Sequence, residues 1–210
     1  MSDLMYVGNN AVSLYEKYHD ELLILCEKLQ PLYHQMQHAK FGTTFGDTEG
    51  ELLYMLLREA KPEVVFEISP NAGWSTNYML SALTKNQKGT LHSFELMEQI
   101  NNKSIEQVIR GNQHRDWNQE QLVLHIGDAL ETTRQVTGNI DFVLIDSCHD
   151  DWFAKWYIET IFPHVQGIAF VQDIAFIDGL EDASEAEYFW QWAQEHQLPL
   201  NLVGHLDASE

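Results

Sequence analysis

The sequence sets a histidine three residues behind an aspartate, in Asp146-Ser-Cys-His149, directly after the apolar run Ile140–Ile145. Histidine has an ordinary pKa near 6.5, so His149 can take up a proton near neutral pH, and a base of this kind contributes roughly 10²–10⁴-fold to a reaction. The plainer reading of His149 is a helix-start histidine bonded to nearby backbone. Four further acids stand at or just behind similar apolar runs: Glu67, Glu95, Asp128 and Asp173. Any one of them alone could be a helix cap or a solvated loop residue. Five in register along one edge are harder to assign to capping alone.

The stretch Glu67-Ile-Ser-Pro-Asn-Ala-Gly-Trp-Ser-Thr76 adds a second chemistry. A glycine lets backbone approach a ligand closely, and a helix that starts behind it offers free N–H groups to an anion. Gly73 suits that role, with Ser75 or Thr76 as the natural N-cap. Dinucleotide binding fits poorly, because G-x-G-x-x-G needs three glycines and Ser69 to Trp74 holds only Gly73. Cys148 reads as packing, since adjacent Cys and His side chains rarely meet. His34 and His38 lie four apart on an expected helix, but no third ligand is near, so a solvated stripe is the simpler reading.

These residues need a scaffold that collects strand ends. Short runs rich in Val, Ile and Phe fall at Val64–Ile68, Gly89–Phe94, Leu122–Ile126, Ile140–Ile145 and Gly167–Val171. Amphipathic segments of helical length separate them, at Thr76–Leu83, Ile100–Arg110, Asp128–Val136 and Trp152–Ile161. That alternation implies an α/β fold, a doubly wound and mainly parallel sheet with helices on both faces, its ligands outside the carboxyl ends of the strands. Upstream, apolar residues three or four apart from Val12 to Leu29 indicate a helix that Pro31 interrupts. A turn-rich passage, Phe41–Thr48, leads to a second helix, Glu49–Arg58, ended by Pro62. Residues 1–45 thus read as a helical appendage and 46–210 as the main domain. A helix at Glu185–His196 and a short strand at Leu200–Val203 close the pattern, while Trp152, Phe153, Trp156 and Tyr157 form an aromatic cluster of the core type.

Composition narrows the function. With 210 residues, 44% of them apolar, the chain can build one sizeable core. A net charge of −20 would repel both a phosphate backbone and an anionic membrane, so neither nucleic acid nor a membrane is an expected partner. No apolar run reaches the roughly 20 residues that span a bilayer, and the N-terminus lacks a secretory pattern, so the expected location is the cytoplasm. The two cysteines, Cys26 and Cys148, fit reduced thiols.

Residues 45 to 175 resemble the class I S-adenosylmethionine (SAM)-dependent methyltransferases, and more narrowly the small, metal-dependent type of O-methyltransferase. The resemblance rests on Glu49-Gly-Glu-Leu-Leu and on Phe66-Glu-Ile-Ser-Pro-Asn-Ala-Gly-Trp-Ser-Thr76. It implies a Rossmann-like fold and a SAM site formed by Glu67, Ser69, Gly73, Ser75, Glu95, Asp128 and Asp146. In such enzymes the carboxylate at Glu95 receives both ribose hydroxyls, and Asp128 receives the adenine amino group or caps the next helix. The resemblance also makes His149 the catalytic base and Asp146 a catalytic residue or cation ligand, paired with Asp173. Two departures stand out: Ser69 replaces the usual glycine, and Ile174 replaces a usual oxygen ligand, which leaves the need for Mg²⁺ or another divalent cation open.

The expected reaction is methyl transfer to a hydroxyl oxygen of a small molecule by in-line displacement. The alternatives are a SAM-binding protein with altered catalysis and a nucleotide-dependent oxidoreductase. The N-terminal helices would close over the site or pack against a second copy as a homodimer.

Overall fold

The computed structural model describes residues 11–41, 46–172 and 184–197. Five parallel strands form the central sheet: β1 (Val64–Ile68), β2 (Thr90–Glu95), β5 (Leu122–Ile126), β6 (Ile140–Ile145) and β7 (Val165–Val171), in the order β5-β2-β1-β6-β7. The winding reverses between β1 and β6, where Val65–Ile68 pairs with Phe142–Ile145. The expected strand runs match within two residues at each end, because each is a short, mostly apolar run, buried most completely in the central β1 and β6. The expected strand at Leu200–Val203 lies outside the described residues.

Alternating side chains divide the core into two layers. Val65, Leu91, Leu122, Phe142 and Leu144 face the layer of α1 (Ala11–His38), α2 (Asp47–Ala60), α3 (Trp74–Asn86) and α4 (Ile105–Gly111). Phe66, Ile68, Phe94, Val143 and Ile145 face α6 (Asp151–Thr160) and α7 (Ser184–Glu195). In α6, Phe153 and Tyr157 are buried while Trp152 is half exposed, so most of the aromatic cluster is core.

Three expectations about helices change. Pro31 does not end the first helix, which runs through it from Ala11 to His38. Leu29 and Met36 are buried on either side of the proline, and each buried side chain of that size contributes roughly 1.5–3 kcal/mol, which offsets the roughly 3 kcal/mol cost of an interior proline. The N-terminal helix packs on the main domain: Leu14, Tyr18, Leu22, Leu25 and Leu29 join the core layer shared with α2 and α3. Glu21 reinforces the packing by accepting from Arg58 Nε at 2.8 Å and from Tyr54 Oη at 2.7 Å.

The expected helix from Ile100 begins later. β3 (Gln99–Ile100) and β4 (Lys103–Ser104) form a hairpin first, joined by Asn101 and Asn102 at φ 49° and 61°. Two successive left-handed residues make a tight hairpin turn, and asparagine tolerates that conformation. The expected helix Asp128–Val136 is a short α5 (Ala129–Thr132) followed by a tighter turn at Thr133–Gln135.

Gly50 shows how closely α2 and α3 approach, since a Cβ there would lie 2.5 Å from the Tyr78 ring. Tyr78 is buried and donates to Asp47 Oδ1 at 3.0 Å, so the ring has little room to yield. In a helix interior Gly→Ala ordinarily adds roughly 1 kcal/mol of stability. Gly50→Ala is expected to do the reverse and destabilise by about 1–3 kcal/mol, the range for overpacking, as measured by urea unfolding.

Candidate active site at the carboxyl edge of the sheet

Glu67 on β1 is fully buried and points into the α3 layer. Its Oε1 accepts from Ser75 Oγ at 2.7 Å, its Oε2 accepts from Ser93 Oγ at 2.5 Å, and Thr76 Oγ1 lies 3.0 and 2.9 Å from the two oxygens. One carboxyl group therefore ties β1, β2 and the first turn of α3 together. Burial pushes its pKa up to about 7; the three hydroxyls oppose that rise, and the charge of Asp146 adds to it slightly.

This arrangement corrects the expected helix start. Ser75 and Thr76 do not cap α3, because their hydroxyls serve Glu67. The N-cap is Gly73, at φ 90°, with no side-chain cap bond. Its left-handed φ is what favours glycine, and a Cβ there would also crowd Gln113 Nε2 at 2.8 Å. The first N–H groups of α3 thus have no side-chain cap. One residue on, Trp74 Nε1 is a buried donor without a hydrogen-bond partner among the described residues.

The loop before α3 is held from several sides. Ser69, Asn71 and Gly73 all have positive φ, at 70°, 50° and 90°. Ser69 therefore adopts a conformation usual for glycine, at a cost of roughly 1–2 kcal/mol. Its N–H donates to Phe94 O at 2.9 Å. Asn112 Nδ2 donates to Ala72 O at 2.9 Å, and Asn77 Nδ2 donates to Gly73 O at 3.0 Å. Sequence reading missed both asparagines; their hydrogen-bonding side chains in otherwise amphipathic segments were the available signal.

Glu95 ends β2, almost entirely buried. Its Oε2 accepts from Asn71 N and its Oε1 from Met97 N, each at 2.9 Å. Burial pushes its pKa up, and the backbone N–H groups oppose the rise. A carboxylate has about four acceptor positions, so each oxygen retains capacity for a further donor. Leu96 and Met97 beside it are exposed apolar side chains. Asp128 caps α5 through Oδ1, which accepts from Leu130 N at 2.9 Å.

Asp146 and His149 follow β6, next to β1. His149 Nδ1 lies 2.8 Å from Glu185 Oε2 on α7, a partner that sequence reading missed. Asp150 Oδ2 accepts from Trp152 Nε1 at 3.0 Å. Among the described residues no three His, Cys, Asp or Glu side chains group to hold a metal, and Asp173 lies outside those residues. Also among the described residues, no helix is long and apolar enough to cross a membrane.

Glu67 links stability to pH. Its folded pKa of about 7 exceeds the ordinary value of 4.5, so the folded state binds more protons between those two values. Stability from this group is full below pH 4.5 and is lost as pH rises toward 7, by roughly 3 kcal/mol at about 1.4 kcal/mol per pH unit. Glu67→Gln should remove that dependence. Urea unfolding at pH 5, 6, 7 and 8 is expected to show the variant gaining on the wild type up to about pH 7 and holding level above it.

Three solved structures share this architecture. The cofactor-bound Rv0187 protein from MTB has a TM-score of 0.66 at 21% identity, over 81% of this chain and 78% of that one. The O-methyltransferase TomG from Streptomyces achromogenes, solved with SAM, has a TM-score of 0.63 at 16% identity, over 80% and 78%. The O-methyltransferase from Bacillus cereus, solved with SAH, has a TM-score of 0.63 at 17% identity, over 80% and 79%. No curated protein matches the chain. A family model described as a methyltransferase domain matches residues 66–172, from β1 through the end of β7, which is the part of the chain that carries the loop, Glu95 and Asp146. With half of its length matched and its sheet wound as in the O-methyltransferases, this chain belongs to the methyltransferase-domain family.

Proposed function

We propose that the protein transfers a methyl group from SAM to a hydroxyl oxygen of a small molecule. The observation that carries this reading is the joint placement of Glu95 and the start of α3. The Asn71 N–H ties the carboxylate to the loop whose last residue, Gly73, leaves the helix without a side-chain cap.

The residues present fit SAM. Free N–H groups at the start of α3 suit its carboxylate, with the orphaned Trp74 Nε1 close by in sequence. Glu95 retains acceptor capacity for two ribose hydroxyls. Asp128 Oδ2 can accept an adenine amino group while Oδ1 caps α5. The exposed Leu96 and Met97 offer apolar surface to a flat base. When bound, SAM supplies a methyl group on sulfonium sulfur, a leaving group already activated.

The chain's own work is alignment, worth roughly 7–11 kcal/mol in favourable systems, and removal of one proton. His149 takes the hydroxyl proton, and Asp146 orients the acceptor. Asp146 is the cation ligand that the resemblance implies, and its expected partner Asp173 lies outside the described residues, so each step uses the chain's own side chains. Tyr33 of α1 lies 5.7 Å from the Trp74 ring, which supports a covering role for that helix over the loop. Ser69 supports retained function, since it takes the left-handed conformation at the position where the family usually has glycine.

Calorimetry with SAM and S-adenosylhomocysteine tests the reading, and heat with neither compound would overturn it. Glu95→Gln should weaken SAM binding by about one to two orders of magnitude, the equivalent of a charged hydrogen bond of roughly 1.5–3 kcal/mol. His149→Ala should abolish turnover while SAM affinity stays within severalfold.

A further inference from the structure

The side-chain pair formed by His149 and Glu185 joins two segments 36 residues apart. The His149 side chain is 43% exposed and that of Glu185 only 4%, so an imidazole near solvent rests on a carboxylate inside the protein. The contact is built from backbone as well. Glu185 N donates to His149 O at 3.2 Å, and Asp151 N donates to Ser184 Oγ at 3.0 Å, so the start of α7 is fastened to the start of α6. Ala186, Phe189 and Ala193 then bury the face of α7 that turns toward α6. Tyr157, close enough to feel Glu185, is fully buried. Its pKa is raised first by burial and then by Glu185, through both its charge and hydrogen bonding.

A carboxylate withdrawn from water loses several kcal/mol of solvation. A simple surface ion pair would need no such burial and is worth at most about 1 kcal/mol. The arrangement matches the general pattern in which a buried acid accepts from one nitrogen of a catalytic histidine, fixes its tautomer and stabilises its charged form.

We propose that Glu185 is a positioning residue for His149. Its carboxylate accepts a hydrogen bond from Nδ1–H, which stays on the ring, and the lone pair on Nε2 receives the proton of the acceptor hydroxyl. This inference rests on methyl transfer to oxygen as the reaction. In that reaction the hydroxyl oxygen bonds to the methyl carbon as the carbon–sulfur bond breaks, and the sulfonium leaves as a neutral thioether. The hydroxyl proton passes to Nε2, so the positive charge ends on the imidazolium beside Glu185. The ring cannot turn without breaking the Nδ1 contact, and the backbone on both sides of that contact is pinned.

The test reads the ring directly. Long-range proton–nitrogen NMR of the ¹⁵N-histidine-labelled full chain at pH 8 should show His149 in the Nδ1–H form, its signals identified by their loss in His149→Gln. Glu185→Leu should release that preference. Glu185→Gln keeps an acceptor oxygen and removes the charge. It should retain the tautomer and the melting temperature while lowering kcat by roughly 10²-fold or more, with SAM affinity and KM nearly unchanged, using catechol as the acceptor probe and S-adenosylhomocysteine release as the readout. A wild-type His149 protonated on Nε2 would overturn the proposal, as would a folded Glu185→Gln enzyme with full kcat. Failure of the methyl-transfer reading is separately visible as absent SAM heat in the wild type. If catechol is not turned over, the tautomers of wild type and Glu185→Leu decide the proposal alone.

Discussion

The buried carboxyl group of Glu67 is the constraint on which the rest of the active edge depends. It stands in the middle of the sheet and collects hydroxyls from β2 and from the first turn of α3. An uncompensated carboxylate there would be strongly disfavoured, so Ser75, Thr76 and Ser93 must be where they are. The direction in which α3 leaves the sheet follows from that requirement. Because these hydroxyls are drawn inward, none is left to cap the helix, and its N-terminus stays open behind Gly73.

Glu95 extends the same logic by one strand. Its two oxygens bind Asn71 and Met97, so the end of β2 fixes the middle of the loop whose start Glu67 anchors through the sheet. Three left-handed residues in that loop carry backbone strain, and the surrounding hydrogen bonds from Asn77 and Asn112 keep it in place. A loop held this way is fixed by the fold itself, which fits the binding role proposed for it. That suits a reaction in which alignment is the protein's main contribution.

Much of the fold was legible along the chain. The five core strands appear as short apolar runs, and their alternation with amphipathic segments implies a parallel sheet whose ligands gather at one edge. Boundaries were legible where local chemistry set them, as at Lys61 in a left-handed cap directly before Pro62. They were misread where tertiary packing outweighed local preference. Pro31 signalled a break, yet the buried side chains on either side carry the helix through it. Asn101-Asn102 carried a turn signal that the helical spacing of neighbouring apolar residues obscured. Ser75 and Thr76 had the chemistry of caps, and only the position of Glu67 shows that they serve another partner.

By itself the sequence determined which residues carry charge and protons, and in what order strand ends present them, because spacing along the chain sets which side chains share one edge of a parallel sheet. It also marked Gly73 as a turn position, which the structure fills with a left-handed residue at the start of α3. Only the tertiary structure decided how those groups divide the work: Glu67 is withdrawn into the core, Glu95 keeps acceptor capacity at the rim, and His149 rests on Glu185. The reason is physical, since burial and hydrogen-bond partners belong to elements that meet in space, and α7 reaches His149 only after it docks on α6.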